Sequence, residues 1–145
     1  MSPALLLALC PLLAADPQFP QVLDERLQIQ LVADSPDVRT PTGIAVDERG
    51  RVLVIESHTH FPPPNYDGPK ADRILLLEDF DPATGKARKL STFFEGTTHT
   101  MNLAINHDGS IYVATRLEIF RLRDTDNDGK SDERTPICHL DTPGN

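Results

Sequence analysis

The chain has 145 residues, of which 39% are hydrophobic and 25% charged, a composition typical of a globular domain and not of a disordered chain. Its formal charge of −8 and the absence of a basic run exclude a nucleic-acid-binding function, because such a surface repels phosphate groups. The 13 prolines leave little room for long helices, since proline removes a backbone donor and clashes with the preceding turn. We therefore predict an all-β fold of short strands joined by turns.

The N-terminus predicts an export signal. Residues 1–15 are almost wholly apolar, with an unbroken run from Ala4 to Leu9. This length suits the hydrophobic region of a secretory signal peptide and is too short for a stable membrane span; a mis-assigned start or an apolar tail is the alternative. We predict a signal peptide over 1–15, a linker over 16–26 and a periplasmic or cell-surface location. Cys138 then remains as a single cysteine in an apolar stretch, where a core position is expected.

Residues 27–31 alternate between apolar and polar side chains, the period of a half-buried strand. An internal repeat follows, in which residues 43–54 align with residues 102–113. Both copies contain a short apolar strand, a polar turn that ends in glycine (Gly50 and Gly109) and a second apolar strand, which is the pattern of a β-hairpin.

The repeat continues beyond the hairpin. A third strand is predicted at 74–81 and 119–126, and a fourth apolar piece at 90–94 and 137–140. The offset between the copies falls from 59 residues at Gly43 to 45 residues at Ile74, which indicates a 14-residue insertion within residues 58–72. The shorter offset is close to the length of a propeller blade, about 40–45 residues.

Four antiparallel strands repeated in tandem predict a β-propeller instead of a sandwich. Two blades, at 43–95 and 102–141, make an incomplete ring, because propellers have about 4–8 blades. We expect residues 27–145 to be a propeller fragment that is inactive by itself. Residues 27–33 are predicted to complete the last blade of the full ring.

An acidic loop follows the third strand of the second unit. From Asp124 it carries carboxylates at positions 1, 3, 5 and 9 and glycine at position 6, as EF-hand calcium loops do, although Thr135 replaces the glutamate at position 12. An acidic hairpin turn is the alternative interpretation. The predicted metal ligands are Asp124, Asp126, Asp128, Lys130 and Asp132.

A second cluster contains three histidines and an arginine. His58 and His60 begin the inserted loop, His99 precedes the second blade, and Arg116 follows the second strand of that blade. In a four-stranded blade, the connection into the first strand and the connection after the second strand lie on the same face. We therefore expect these four residues on one face near the central channel, with the Asp124 loop on the opposite face. Such a convergence predicts a binding or catalytic site.

Several strings resemble the N-terminal propeller of planctomycete-type haem-binding CxxCH proteins, also named membrane-bound dehydrogenases. The resemblance covers about residues 23–145, and its most specific string is ESHTHFP at 56–62; the other strings lie at 40–47, 72–75, 98–101 and 112–116. That propeller is similar to soluble quinoprotein glucose and sorbosone dehydrogenases. In typical members a cytochrome c-like domain follows, whereas this chain contains no CxxCH motif.

The resemblance implies an exported oxidoreductase that oxidises a sugar or similar alcohol and passes electrons to a quinone or haem. It implies His99 as the general base toward a substrate hydroxyl, although its spacing to the following hairpin is one residue shorter than in the relatives. It further implies Arg116 at a quinone carboxylate, with His58 and His60 lining the cofactor site. Pyrroloquinoline quinone is expected by family analogy only. The alternative is a non-catalytic propeller that recognises carbohydrate or protein, stabilised by calcium.

Overall fold

The computed structural model describes residues 20–142, and their regular structure is all β. The chain forms two four-stranded antiparallel sheets, with strand orders β1-β2-β3-β4 and β5-β6-β7-β8. The predicted fold, a propeller fragment of two four-stranded blades, is confirmed. Among residues 20–142 no helix is long and apolar enough to cross a membrane. The eight strands are β1 (Pro41–Val46), β2 (Val52–Glu56), β3 (Asp72–Phe80), β4 (Ala87–Thr97), β5 (Thr100–Ile105), β6 (Ile111–Thr115), β7 (Glu118–Arg123) and β8 (Glu133–His139).

The predicted signal peptide lies outside the described residues. Among the described residues, 20–30 belong to one unit and those from Leu31 onward to another, which contains both blades. Residues 27–33, predicted as a strand, belong to no sheet in the structure. A strand forms only beside a partner that accepts and donates its backbone hydrogen bonds. That residues 27–33 complete another blade therefore stays a prediction.

The first hairpins of the two blades have the same hydrogen bonds, as the repeat predicts. The amide of Gly50 donates to the carbonyl of Asp47 (3.0 Å), and that of Gly109 donates to the carbonyl of Asn106 (2.9 Å). Both glycines have positive φ, 75° and 78°, which a residue with a Cβ adopts only at a cost of about 1–2 kcal/mol. The turn predicted from the sequence is therefore confirmed in both blades.

The main core lies between the two sheets. Side chains alternate across each strand, so one face of the first sheet packs on the second sheet while its other face forms a smaller cluster, covered by Val32, Ala33 and Val38. Burying one such large apolar side chain contributes about 1.5–3 kcal/mol. The main core consists of Leu53, Ile55, Ile74, Leu76 and Phe93 from the first sheet and Leu103, Ile111, Val113, Phe120 and Leu122 from the second.

Cys138 is exposed, so the prediction of a core position is wrong. It lies on β8, the last strand of the second sheet, whose seven residues are all exposed. This strand has a neighbour on one side only, so its apolar side chains lack the cover that the central strands receive. The apolar neighbours of Cys138 in the sequence therefore do not indicate burial.

Candidate functional site

Three connections lie at one end of the two sheets, because neighbouring strands within each blade are antiparallel. The loop 57–71 joins β2 to β3, residues 98–99 join β4 to β5, and residues 116–117 join β6 to β7. We call this the histidine end, since it carries the three histidines predicted to share a face. The loop 124–132 follows β7 and lies at its other end, as the topology predicts.

His99 has a left-handed backbone with φ of 52°, which is uncommon for a residue other than glycine. Its amide donates to Thr59 Oγ1 (2.6 Å), and its carbonyl accepts from the amide of Arg116 (3.1 Å). In the first blade Thr40 occupies the equivalent position, with φ of 43° and the amide of Ser57 at its carbonyl (3.1 Å). Hydrogen bonds on both sides hold His99 in a conformation that costs about 1–3 kcal/mol by itself.

The structure brings His60 and His99 together. Their ring centroids lie 6.1 Å apart with the rings perpendicular, at 89°. His60 is exposed and His99 is half-buried. The ring of Phe61, which is also exposed, lies edge-on to His60 at 4.5 Å. Arg116 joins this group through its backbone bond to His99.

His58 belongs to the same loop but is not part of the pair formed by His60 and His99. Its side chain is completely buried, with Nε2 3.0 Å from Glu56 Oε2 and Nδ1 hydrogen-bonded to the hydroxyl of Tyr66. Both ring nitrogens are therefore occupied, and we assign His58 to the packing of the inserted loop. Strand β2 ends at Glu56, so the alternation of side chains along a strand does not extend to His58 and His60 and does not set the relative direction of their rings.

Glu56, which the sequence analysis did not single out, is the centre of this buried network. Its carboxylate accepts the amide of Arg39 (2.6 Å), Nε2 of His58 and Nε of Arg73. Burial raises the pKa of the Glu56 carboxyl, but these hydrogen bonds outweigh it and the net pKa is lowered. An ionised carboxylate only accepts, so Nε2 of His58 carries a proton and donates it to Glu56.

Asp72 is a second buried carboxylate that the sequence analysis missed. Its side chain accepts three backbone amides and the hydroxyl of Thr59, from residues of the inserted loop and of β5. Burial raises the pKa of Asp72, but these bonds prevail and the net pKa is lowered. The one available sequence signal was a carboxylate at the start of an apolar strand.

The acidic loop brings three of its five predicted ligands together. One side-chain oxygen each from Asp124, Asp126 and Asp128 lie within 4.8 Å of one another. Asp124 Oδ1 is buried and has no hydrogen-bond partner in the structure. Asp132 instead accepts the amide and hydroxyl of Thr125 (2.7 and 2.8 Å). The ammonium group of Lys130 cannot bind a cation, so only its backbone carbonyl is available.

The acidic loop also contacts the first blade. Ser131 N donates to the carbonyl of Phe93 (2.9 Å), and Arg49 Nη2 donates to Asn127 Oδ1 (2.8 Å). A cavity of about 540 Å³ opens at this end between the blades. Its lining includes Asp47, Arg51, His107, Asp108, Arg123 and Asp124.

A family of domains of unknown function, DUF7133, matches residues 21–140. The chain belongs to this family. A comparison with curated protein sequences gave no match.

Solved structures similar to this DUF7133 chain are propeller domains. The holo form of the pyranose dehydrogenase PQQ domain from Coprinopsis cinerea is 15% identical with a TM-score of 0.53, and the match covers 69% of this chain and 21% of that one. The calcium structure of the carbohydrate-active enzyme family AA12 protein from Trichoderma reesei is 21% identical with a TM-score of 0.53, covering 74% and 24%. An iodide structure of that AA12 protein matches equally, at 21% identity and a TM-score of 0.53. The chain thus spans about a quarter or less of each structure, and at these identities the likeness shows the fold alone.

Proposed function

We propose that this DUF7133 chain forms part of the propeller of an oxidoreductase that oxidises a sugar or similar alcohol. The observation that carries the proposal is the pairing of His60 with His99 at 6.1 Å, where the backbone of Arg116 joins His99. The similarity to the pyranose dehydrogenase PQQ domain supports it at the level of the fold.

In this proposal a ring nitrogen of His99 takes the proton of the substrate hydroxyl, and His60 orients the substrate beside it. The guanidinium of Arg116 suits a planar anion such as a quinone carboxylate. Two imidazoles offer hydrogen-bonding nitrogens and the guanidinium adds a permanent positive charge, which fit a quinone that bears carboxylates, such as pyrroloquinoline quinone. When bound, such a quinone would take the hydrogen of the substrate C–H bond with both electrons, as a hydride, while the hydroxyl proton goes to His99. The resemblance to the CxxCH proteins adds a downstream cytochrome c-like domain as the proposed electron partner.

The test uses the full-length protein, supplied with pyrroloquinoline quinone and assayed for dye-linked oxidation of a panel of sugars. His99→Ala is expected to lower kcat by about 10²–10⁴-fold, the usual contribution of a general base. His107→Ala is the matched control, because this histidine lies in the turn at the other end of the second blade. Turnover that persists in His99→Ala would contradict the proposal. Sugar binding without turnover in the wild type would favour the recognition alternative.

We further propose that the acidic loop binds calcium. Three converging carboxylates and the buried Oδ1 of Asp124, which lacks a partner, suit a hard cation that prefers oxygen ligands. Titration calorimetry of the chelated protein is expected to show heat on adding millimolar calcium, and Asp126→Asn is expected to reduce it. A titration without heat would overturn this assignment.

Export to the periplasm or cell surface is proposed from the apolar run over residues 1–15. Sequencing of the mature protein is expected to show an N-terminus at Asp16. A cytoplasmic protein that retains Met1 would contradict it.

A further inference from the structure

We infer that Asp72 is a positioning residue that holds His99 and the inserted loop, which carries His60, in a single arrangement. Its side chain is completely buried at the start of β3, and we expect it to act through its neighbours. The effect of this role on catalysis rests on the proposed function. The hydrogen bonds that define it lie wholly within the two blades of this chain.

One carboxylate connects two segments that carry histidines. Oδ1 accepts the amides of His58 (2.6 Å) and Thr59 (2.9 Å), which directly precede His60. Oδ2 accepts the amide of Thr100 (2.7 Å), the residue after His99. The segments are far apart in sequence, so this contact is tertiary. Asp72 therefore determines how the inserted loop of the first blade meets the entry to the second.

Thr59 extends the connection to His99 itself. Its hydroxyl lies 2.9 Å from Asp72 Oδ1 and 2.6 Å from the amide nitrogen of His99. A hydroxyl has one proton, and the ionised carboxylate can only accept it, so the oxygen of Thr59 is left to accept from His99. The chain of bonds thus runs from the His99 amide through the Thr59 hydroxyl to Asp72.

These bonds oppose the intrinsic preference of His99. A histidine with φ of 52° relaxes toward negative φ unless its neighbours prevent it. The amide on one side of that torsion is bound to Thr59, and the next amide is bound to Asp72. Loss of either acceptor removes part of the constraint, and the ring of His99 then moves relative to His60.

The test compares Thr59→Val, Thr59→Ser and Asp72→Asn by residue-resolved hydrogen exchange on the full-length protein. Thr59→Val keeps the shape but removes the acceptor, so the His99 amide is expected to exchange about tenfold faster. Thr59→Ser retains the hydroxyl and is expected to match the wild type. Asp72→Asn is expected to accelerate hydrogen exchange of the Thr100 amide, because the side-chain amide group of the asparagine can face that donor.

The amide of Val113, in the core of β6, is the internal control. A general loss of stability raises exchange at Val113 as well, so the ratio of the His99 rate to the Val113 rate is the readout. An unchanged ratio in Thr59→Val overturns the positioning role. This result is independent of turnover, and a failure of His99→Ala to affect turnover refutes the proposed function instead.

The kinetic measurement concerns the consequence for the reaction. In the full-length enzyme, Thr59→Val is expected to lower kcat about tenfold with little change in KM, and Thr59→Ser is expected to restore it. A purely structural role would reduce the amount of folded enzyme and its melting temperature without this division between kcat and KM. Equal kcat for the valine and serine variants would overturn the inference.

Discussion

Replacement of Glu56 by glutamine tests the buried network at the end of β2. The Glu56 side chain has 0% exposure and accepts three donors, from Arg39, His58 and Arg73. Glutamine has nearly the same shape but keeps only one acceptor oxygen. Its amide group would face the Arg39 amide from the Oε1 position, or both His58 and Arg73 from the Oε2 position, so donors would meet without an acceptor in either orientation.

The expected loss follows from the burial of the partners. Removing one member of a buried charge pair costs about 3–5 kcal/mol, because the other members stay buried without a partner. The Arg73 side chain is 32% exposed, so water offsets part of the loss of its charged partner. We therefore expect Glu56→Gln to lower the free energy of unfolding by about 3 kcal/mol, at the lower end of that range.

Urea unfolding followed by circular dichroism measures this loss. Glu118→Gln is the matched control, since Glu118 pairs with Arg134 at 24% and 35% side-chain exposure. Partly exposed pairs of this kind contribute about 0–1 kcal/mol. If Glu56→Gln loses no more than Glu118→Gln, the network does not stabilise the fold as its geometry indicates.

Further predictions concern acid stability and packing. Because the folded-state pKa values of Glu56 and Asp72 are lowered, both stabilise the fold above their unfolded pKa values of about 4, and this contribution is lost as pH falls through the folded values. The urea midpoint should therefore drop below about pH 5; a midpoint constant from pH 5 to 3 would be inconsistent with that. Phe120→Ala, at a position with 0% exposure, should cost about 3–5 kcal/mol in the same assay, and a loss below about 1 kcal/mol would show that Phe120 is not a core residue. Gly43→Ala should cost about 1–3 kcal/mol, because the new Cβ would lie 2.9 Å from Ile55 Cδ1. Adding Ile55→Val removes that atom and should recover part of the loss, whereas no recovery would locate the strain elsewhere.

The strands and hairpins could be predicted because their signals are local. The alternation of apolar residues and the glycines at 50 and 109 act over a few neighbouring positions, and the repeat shows the same pattern twice. The arrangement of His60 and His99 at one end followed from strand order alone. The strand order did not predict which side chains of the site are buried or which of them contact each other.

The buried carboxylates could not be predicted, because their partners are distant in sequence. Asp72 binds Thr100 across 28 positions, and Thr59 binds His99 across 40. The sequence contains many aspartates in turns, and nothing local distinguishes the one that becomes buried. Its burial depends on the loop and on β5, which cover it only after the blades have packed.

The sequence by itself therefore determined the eight strands that the structure describes, the glycine turns and the end of the sheets at which each connection lies. These follow from backbone preferences and from side-chain alternation, which neighbouring residues specify. Only the tertiary structure decided that His58 is buried against Glu56, that His60 meets His99 and that Cys138 is exposed. Burial and hydrogen-bond pairing are settled by the surfaces that a second sheet and a long loop bring together, and no short stretch of sequence contains those surfaces.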